Sequence, residues 1–158
     1  MLNDQVLPMT YYSAFKVIED AIHRNTKDYM IVSEGSATMD IGRGILANDA
    51  ARQRLDAGTF ANMGIGFGFA IAAQALYPKK KIIMVEGYSA FGFSGMELET
   101  AIRFGMPLKC IIINNNGVFK GQESIDNEKH TDVPTSALTI DCRYDQMCIA
   151  FGGKGAFV

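Results

Sequence analysis

Short, continuous apolar runs that stop on glycine and polar residues set the pattern of this chain. Lys81-Ile82-Ile83-Met84-Val85 ends at Glu86-Gly87, and Cys110-Ile111-Ile112-Ile113 ends at Asn114-Asn115-Asn116-Gly117. Such runs predict buried strands. A small-residue turn after Gly87 and a helix over about 95–104 fit between them. Tyr29-Met30-Ile31-Val32 is a third strand of the same kind, ending at Ser33-Glu34-Gly35-Ser36. Ahead of it, Thr10 is placed to cap a helix reaching about Arg24, on which Tyr12, Phe15, Ile18 and Ile22 recur at helical spacing, and residues 25–28 break it. The stretch 63–77 reads as a helix and 144–151 as a last one, closed by Gly152-Gly153; residues 156–158 read as the beginning of a strand. Alternating strands and helices predict an α/β fold, three layers deep around a mainly parallel sheet.

The polar segments divide the remainder. Residues 1–9 read as a linker bounded by Pro8, so the domain is expected over 10–158. Residues 45–56 are charged and irregular, and 122–130 read as an exposed loop. His130 in that loop is expected to be solvated. His23 lies late in a charged helix, where a cation suits the negative end of the dipole.

Composition narrows the function classes. With 158 residues the chain can bury one substantial core. A formal charge of −2 offers no basic face for nucleic acid. The stretch 63–77 is too short and glycine-rich to cross a bilayer, so no membrane partner is expected. Asn3, Asp4 and Gln5 stand where a signal peptide would be basic. Three cysteines, Cys110, Cys142 and Cys148, without a C-x-x-C pair, favour a reducing compartment, with Cys110 packed in its strand.

The chemistry concentrates where the strands end, which is where an open parallel sheet binds its ligands. A helix N-terminus following Gly87 offers backbone N–H groups to a phosphate. Carboxamide and carbonyl oxygens at 114–117 are hard ligands that suit Mg²⁺ or Ca²⁺. A diphosphate bridged to Mg²⁺ satisfies both halves. The anionic ligand such a metal calls for is missing: Glu86 is near, but position 88 is Tyr. Gly64-x-Gly66-x-Gly68 invites a dinucleotide-binding reading. No apolar strand precedes it, however, and the acid expected about 20 residues on is only roughly matched by Glu86. Glycines that let a helix pack closely on the sheet account for it better.

Gly87-Tyr88-Ser89, then 24 residues, then Asn114-Asn115 resembles the thiamine-diphosphate motif, in which Gly-Asp-Gly/Ser precedes paired asparagines. The surrounding words EGYSAFGFSGMELETAIRFGMPL and NNNG, with VSEGSATMDIGR (32–43), RLDAGTFANMGIGFGFAIAAQ (54–74) and AFGGKGAFV (150–158), are similar to the 2-hydroxyacyl-CoA lyase and oxalyl-CoA decarboxylase branch. The resemblance covers nearly the whole chain and implies the diphosphate-binding domain of that family.

The resemblance implies thiamine diphosphate and Mg²⁺ as cofactors. It places Ser36, Ala37, Ala61, Met63, Gly87, Ser89, Ala90 and Val118 at the cofactor, and Asn115 with the Gly117 carbonyl at the metal. Tyr88 occupies the position of the usual Asp ligand; a neutral phenol is a poor ligand for a hard cation, and its bulk projects toward the diphosphate. Ala37 replaces an Asn, which removes one contact to the diphosphate. Met63 stands where the family has the apolar wedge that bends the cofactor, against the plain reading of a core methionine. Ala61 stands where a glycine carbonyl accepts from the aminopyrimidine. The family cleaves a carbon–carbon bond of acyl-CoA substrates and is expected to be homo-oligomeric. Its activating glutamate belongs to a pyrimidine-binding domain that nothing here matches; the middle domain is unmatched too, and no catalytic residue is assigned. The expectation is therefore a cofactor domain lacking its last strand and helix, inactive alone, with weakened metal binding. The exposed sheet edge predicts association. The alternative is a non-catalytic paralogue that keeps only the fold or a dimerising surface. Family members occur in cytoplasm and peroxisome, and Ala-Phe-Val is not a peroxisomal signal of the Ser-Lys-Leu kind.

Overall fold

The computed structural model describes residues 7–118 and 133–158. The loop expected at 122–130, with His130, lies outside them. Among the described residues ten elements follow in order: α1 (Tyr11–Asn25), β1 (Tyr29–Glu34), α2 (Ser36–Ile45), β2 (Arg54–Asp56), α3 (Gly66–Leu76), β3 (Lys81–Gly87), α4 (Tyr88–Ser94), α5 (Glu97–Arg103), β4 (Lys109–Ile113) and α6 (Tyr144–Ala150). The strands form one parallel sheet in the order β2-β1-β3-β4. From β1 the chain goes outward to β2, then returns across β1 to β3 and on to β4. The strand order therefore reverses between β1 and β3, and the carboxyl ends of those strands flank the crevice.

Strand periodicity sorts the core into two layers. Tyr29, Ile31, Ile83 and Val85 face Phe15, Ile18 and Ile22 of α1 and Ile41 and Ile45 of α2. Met30, Val32, Ile82 and Met84 face Phe67, Ala70 and Ala73 of α3, Phe91 of α4, and Tyr144 and Met147 of α6. Burial on both faces explains why these strands are apolar at successive positions rather than at alternate ones. All six residues of β1 are buried. The result is the expected three-layer α/β arrangement.

Several local expectations change. Thr10 caps α1 by accepting from the Ser13 amide at 3.2 Å, but Tyr12 is 43% exposed and it is Tyr11 that packs on the core with Phe15, Ile18 and Ile22. Residues 36–45, for which the sequence predicted no element, form α2. The charged segment 45–56 contains β2, whose Arg54 and Asp56 pair in register with β1. No turn follows β3: α4 starts at Tyr88 and α5 follows, in place of one helix at 95–104. Residues 156–158 form no strand, and Phe157 lies under the Arg143 guanidinium, 4.9 Å from its ring centre.

Of the three glycines at 64–68, one makes the expected close approach to the sheet. A Cβ on Gly66 would run into the carboxylates of Glu86 and Glu34, whereas Gly68 faces open space and Gly64 lies against Phe93. Cys110, Cys142 and Cys148 are free thiols. No helix among the described residues is long and apolar enough to cross a membrane.

Candidate functional site

Three loops meet in one cleft at the strand reversal. Gly35, Ser36, Ala37 and Thr38 come from the β1–α2 junction, Gly87, Tyr88 and Ser89 from β3–α4, and Asn115 and Gly117 from the segment after β4; Tyr11 closes one side. The first two loops nearly touch. Gly35 has φ +91°, and a Cβ there would meet the Gly87 amide nitrogen at 3.0 Å. That backbone conformation and that clearance both suit glycine. Ala90 is fully buried beneath Gly35, so its place is in the floor of the site rather than on its surface.

The floor is electrostatically suited to an anion. α2 starts at Ser36 with no side-chain cap and no acid in its first turn. Its first amides have no intrahelical acceptor and face the positive end of the helix dipole. Thr38, buried beside Gly87, is also among the residues lining the cleft.

The segment after β4 is held from outside the sheet. Asn114 Oδ1 accepts from the Asn116 amide at 2.8 Å, and Asn116 Oδ1 accepts from the Asp141 amide at 2.8 Å. Gly117 bridges Ala137, with Leu138 N–H donating to the Asn116 carbonyl at 3.1 Å and Val118 N–H to the Ser136 carbonyl at 2.7 Å. Neither bond uses the Gly117 carbonyl.

Tyr88 is committed elsewhere than to a ligand. It is 3% exposed, its hydroxyl donates to the Thr139 carbonyl at 2.9 Å, and its ring packs edge-on against Tyr144 at 5.1 Å. The ring thus forms a wall of the cleft while its oxygen is anchored behind it. Asn115 and Gly117, the residues that the sequence resemblance assigns to a metal, both offer neutral oxygens. Among the described residues, no group of three or more His, Cys, Asp or Glu side chains is placed to hold a metal ion.

Glu86 does not supply the missing charge. It is wholly buried on the far side of the β3 end, facing α3. There it pairs in register with Glu34, also wholly buried. This carboxyl pair escaped the sequence reading; the available signal was an acid at the carboxyl end of each of two mainly apolar strands.

Ala61, Met63 and Val118 stand outside the cleft wall. Met63 is 43% exposed and belongs to neither core layer, so the plain core reading does not describe it; Val118 is 39% exposed. Ala61 has φ +51°, the left-handed region, which is strained for alanine and free for glycine. His23 Nε2 lies 3.4 Å from Asp49 Oδ2, far from the cleft on the first core layer's rim.

Comparison with known proteins agrees with this geometry. Residues 33–158 match the family model described as thiamine pyrophosphate enzyme, C-terminal TPP binding domain. The chain is 47% identical to human 2-hydroxyacyl-CoA lyase 1 over 163 residues, covering 96% of this chain and 28% of that protein. It is 45% identical to the mouse 2-hydroxyacyl-CoA lyase 1 over 169 residues, covering 100% and 29%. Against oxalyl-CoA decarboxylase of Escherichia coli K12 the figure is 38% over 154 residues, covering 98% and 27%. The chain thus spans less than a third of the length of each of these relatives. With a cleft at the strand reversal and a family match over residues 33–158, the chain belongs to the thiamine pyrophosphate enzymes, as their C-terminal TPP-binding domain.

Proposed function

We propose that this chain is the diphosphate-holding part of a thiamine-diphosphate-dependent carbon–carbon lyase that acts on 2-hydroxyacyl-CoA or decarboxylates oxalyl-CoA. The observation that carries the reading is the meeting of residues 35–38, 87–89, 115 and 117 in one cleft. Its floor of uncapped amides suits a diphosphate. In this reading Ser36, Ala37, Gly87 and Ser89 hold the diphosphate, Ala90 supports it from below, and Ala61, Met63 and Val118 border the organic rings. When bound, the cofactor supplies the electron sink for carbon–carbon cleavage. The chain's own share is to hold the phosphates, orient the rings and exclude water. The activating glutamate and the acyl-CoA site lie outside these 158 residues, so the isolated chain does not turn over; the complete protein works as a homo-oligomer.

Magnesium fits this donor set poorly. Mg²⁺ is held by one or two carboxylates together with phosphate oxygens and waters. Here Asn115 and Gly117 provide neutral oxygens, and the Tyr88 hydroxyl is spent on Thr139. That same commitment favours the second reading, a non-catalytic paralogue in which Tyr88 and Tyr144 have turned the metal position into packing. Calorimetric titration of thiamine diphosphate, with and without Mg²⁺, tests both. Binding that Mg²⁺ leaves unchanged supports a cofactor site without its metal. Absence of binding by the folded chain supports the paralogue.

A further inference from the structure

Two glutamates lie side by side at the ends of β1 and β3, behind the cleft. Glu34 and Glu86 are partners in the sheet register, and both are wholly buried. Both carboxyls end at the first residue of α3, where a Cβ on Gly66 would strike Glu86 Oε1 and Glu34 Oε2.

Their bonding is unequal. Glu34 Oε1 accepts from the Gly64 amide and, at 3.1 Å, from the Ile65 amide; Oε2 accepts from the Gly66 amide at 2.6 Å. Neither oxygen of Glu86 receives a hydrogen bond from any described residue. The titratable neighbours are Glu34 on β1 and the Cys110 thiol on β4, and α3 (Gly66–Leu76) carries none. Among the described residues no cation lies beside the pair to offset a second charge.

A bare carboxylate in such a place is strongly disfavoured, and the group takes a proton instead. Which acid takes it follows from the partners. Glu34 faces three amides at the positive end of an eleven-residue helix, so the anion belongs there. A carboxylate accepts at about four lone-pair sites. Three are filled by amides, and an O–H from Glu86 fills the fourth.

The segment that Glu34 grips needs holding. Ala61 and Gly64 have φ of +51° and +92°, and Met63 stands between them with its side chain 43% exposed. Backbone in such regions keeps its shape only when surrounding groups fix it.

We propose that Glu86 is a neutral acid donating its proton to Glu34, and that the pair is the positioning device for residues 61–66. Glu34 grips the turn directly; Glu86 acts through Glu34. This stands whether or not thiamine diphosphate binds, because it concerns the backbone of the turn and not the cleft.

Carboxyl ¹³C NMR and amide exchange on the whole chain at pH 7 test it. One glutamate carboxyl is expected with the shift of a neutral acid, and Glu86→Gln removes that signal. Glu86→Gln keeps a donor toward Glu34, so amide protection at 64–66 stays within about threefold of the parent. Glu34→Gln loses the anionic acceptor, and exchange at those amides rises about tenfold or more, while Ile31 and Ile83 keep their protection. Two ionised carboxyls at neutral pH overturn the proposal. So does loss of protection in Glu86→Gln equal to that in Glu34→Gln, since charge rather than a proton on Glu86 would then be required. If Glu34→Gln does not fold, the carboxyl signal and the Glu86→Gln exchange decide the matter by themselves.

Discussion

Replacing Tyr88 by Asp puts the structural and the functional reading of one position in competition. The ring is 3% exposed, packs on Tyr144 at 5.1 Å, and its hydroxyl holds the Thr139 carbonyl. Removing a buried aromatic ring costs about 3–5 kcal/mol, a range that already contains the edge-on pair's share of about 0.5–1.5 kcal/mol. For a domain of this size each kcal/mol moves the melting temperature by roughly 2–4 °C, so Tyr88→Asp is expected to melt about 6–20 °C below the parent. The same change supplies an anionic oxygen beside Asn115 and Gly117. Thiamine diphosphate with Mg²⁺ at a hundred times its Kd adds about 2.7 kcal/mol to whatever binds it. Thermal melts of both proteins, alone, with the cofactor, and with cofactor plus Mg²⁺, separate the effects. The variant is expected to be the less stable without ligand and to gain specifically from Mg²⁺, with little Mg²⁺ effect on the parent. A variant as stable as the parent without ligand would refute the structural role of the ring. An equal Mg²⁺ gain in both would show that Asn115 and Gly117 suffice.

Three further outcomes are expected. Ala61→Gly relieves about 1–2 kcal/mol of left-handed strain and loses about 0.4–1 kcal/mol to a freer unfolded chain, so urea unfolding is expected to show a gain of roughly 0.5–1 kcal/mol; a loss would mean that the alanine side chain contributes packing. Gly66→Ala drives a Cβ into two carboxyls and is expected to destabilise by about 3 kcal/mol or more, while Gly68→Ala, facing open space inside the helix, stabilises by about 0.5–1 kcal/mol on the same assay. Burial, then the neighbouring Glu34 charge, pushes the Glu86 carboxyl up to about 9. The folded state therefore keeps a proton that the unfolded chain has released. This contribution to stability is complete below the unfolded value of 4.5 and is lost as pH rises from there to about 9, at most by roughly 1.4 kcal/mol per pH unit. Glu86→Gln is expected to flatten that slope in denaturant titrations across pH.

What was legible in the sequence followed from local pattern. β1, β3 and β4 announce themselves because burial on both faces demands unbroken apolar runs, and Thr10 announces α1 by its capping hydroxyl. α2 was missed because Gly42 and Gly44 weaken its helical pattern and its start at Gly35 has no side-chain cap. α4 was missed because Gly-Tyr-Ser-Ala-Phe-Gly-Phe-Ser reads as a turn; it is held by Phe91, whose ring meets Phe67 at 5.8 Å and Tyr144 at 4.8 Å, contacts that cross the chain. Ser36, Gly87, Asn115 and Gly117 were singled out by the order and spacing of the motif, whereas Tyr11 and Thr38, which line the same cleft, were not. The anchoring of Tyr88 on Thr139 was not, since it joins positions 51 residues apart. The glutamate pair stayed hidden for the same reason: 52 positions separate residues that only the sheet register makes neighbours.

That register pairing also bears on how faithfully the chain assembles. Side chains alternate across a strand, so sliding β3 by one residue along β1 would turn every one of its side chains to the opposite layer. Glu86 would then enter the aliphatic and aromatic layer beneath α1 and α2, among Phe15, Ile18 and Ile31 and away from Glu34. An acid stranded there costs several kcal/mol, whereas an alanine or valine at position 86 would pass nearly unnoticed. The buried acids thus act as proofreading marks at the ends of two otherwise interchangeable greasy strands, making the misaligned sheet the expensive one.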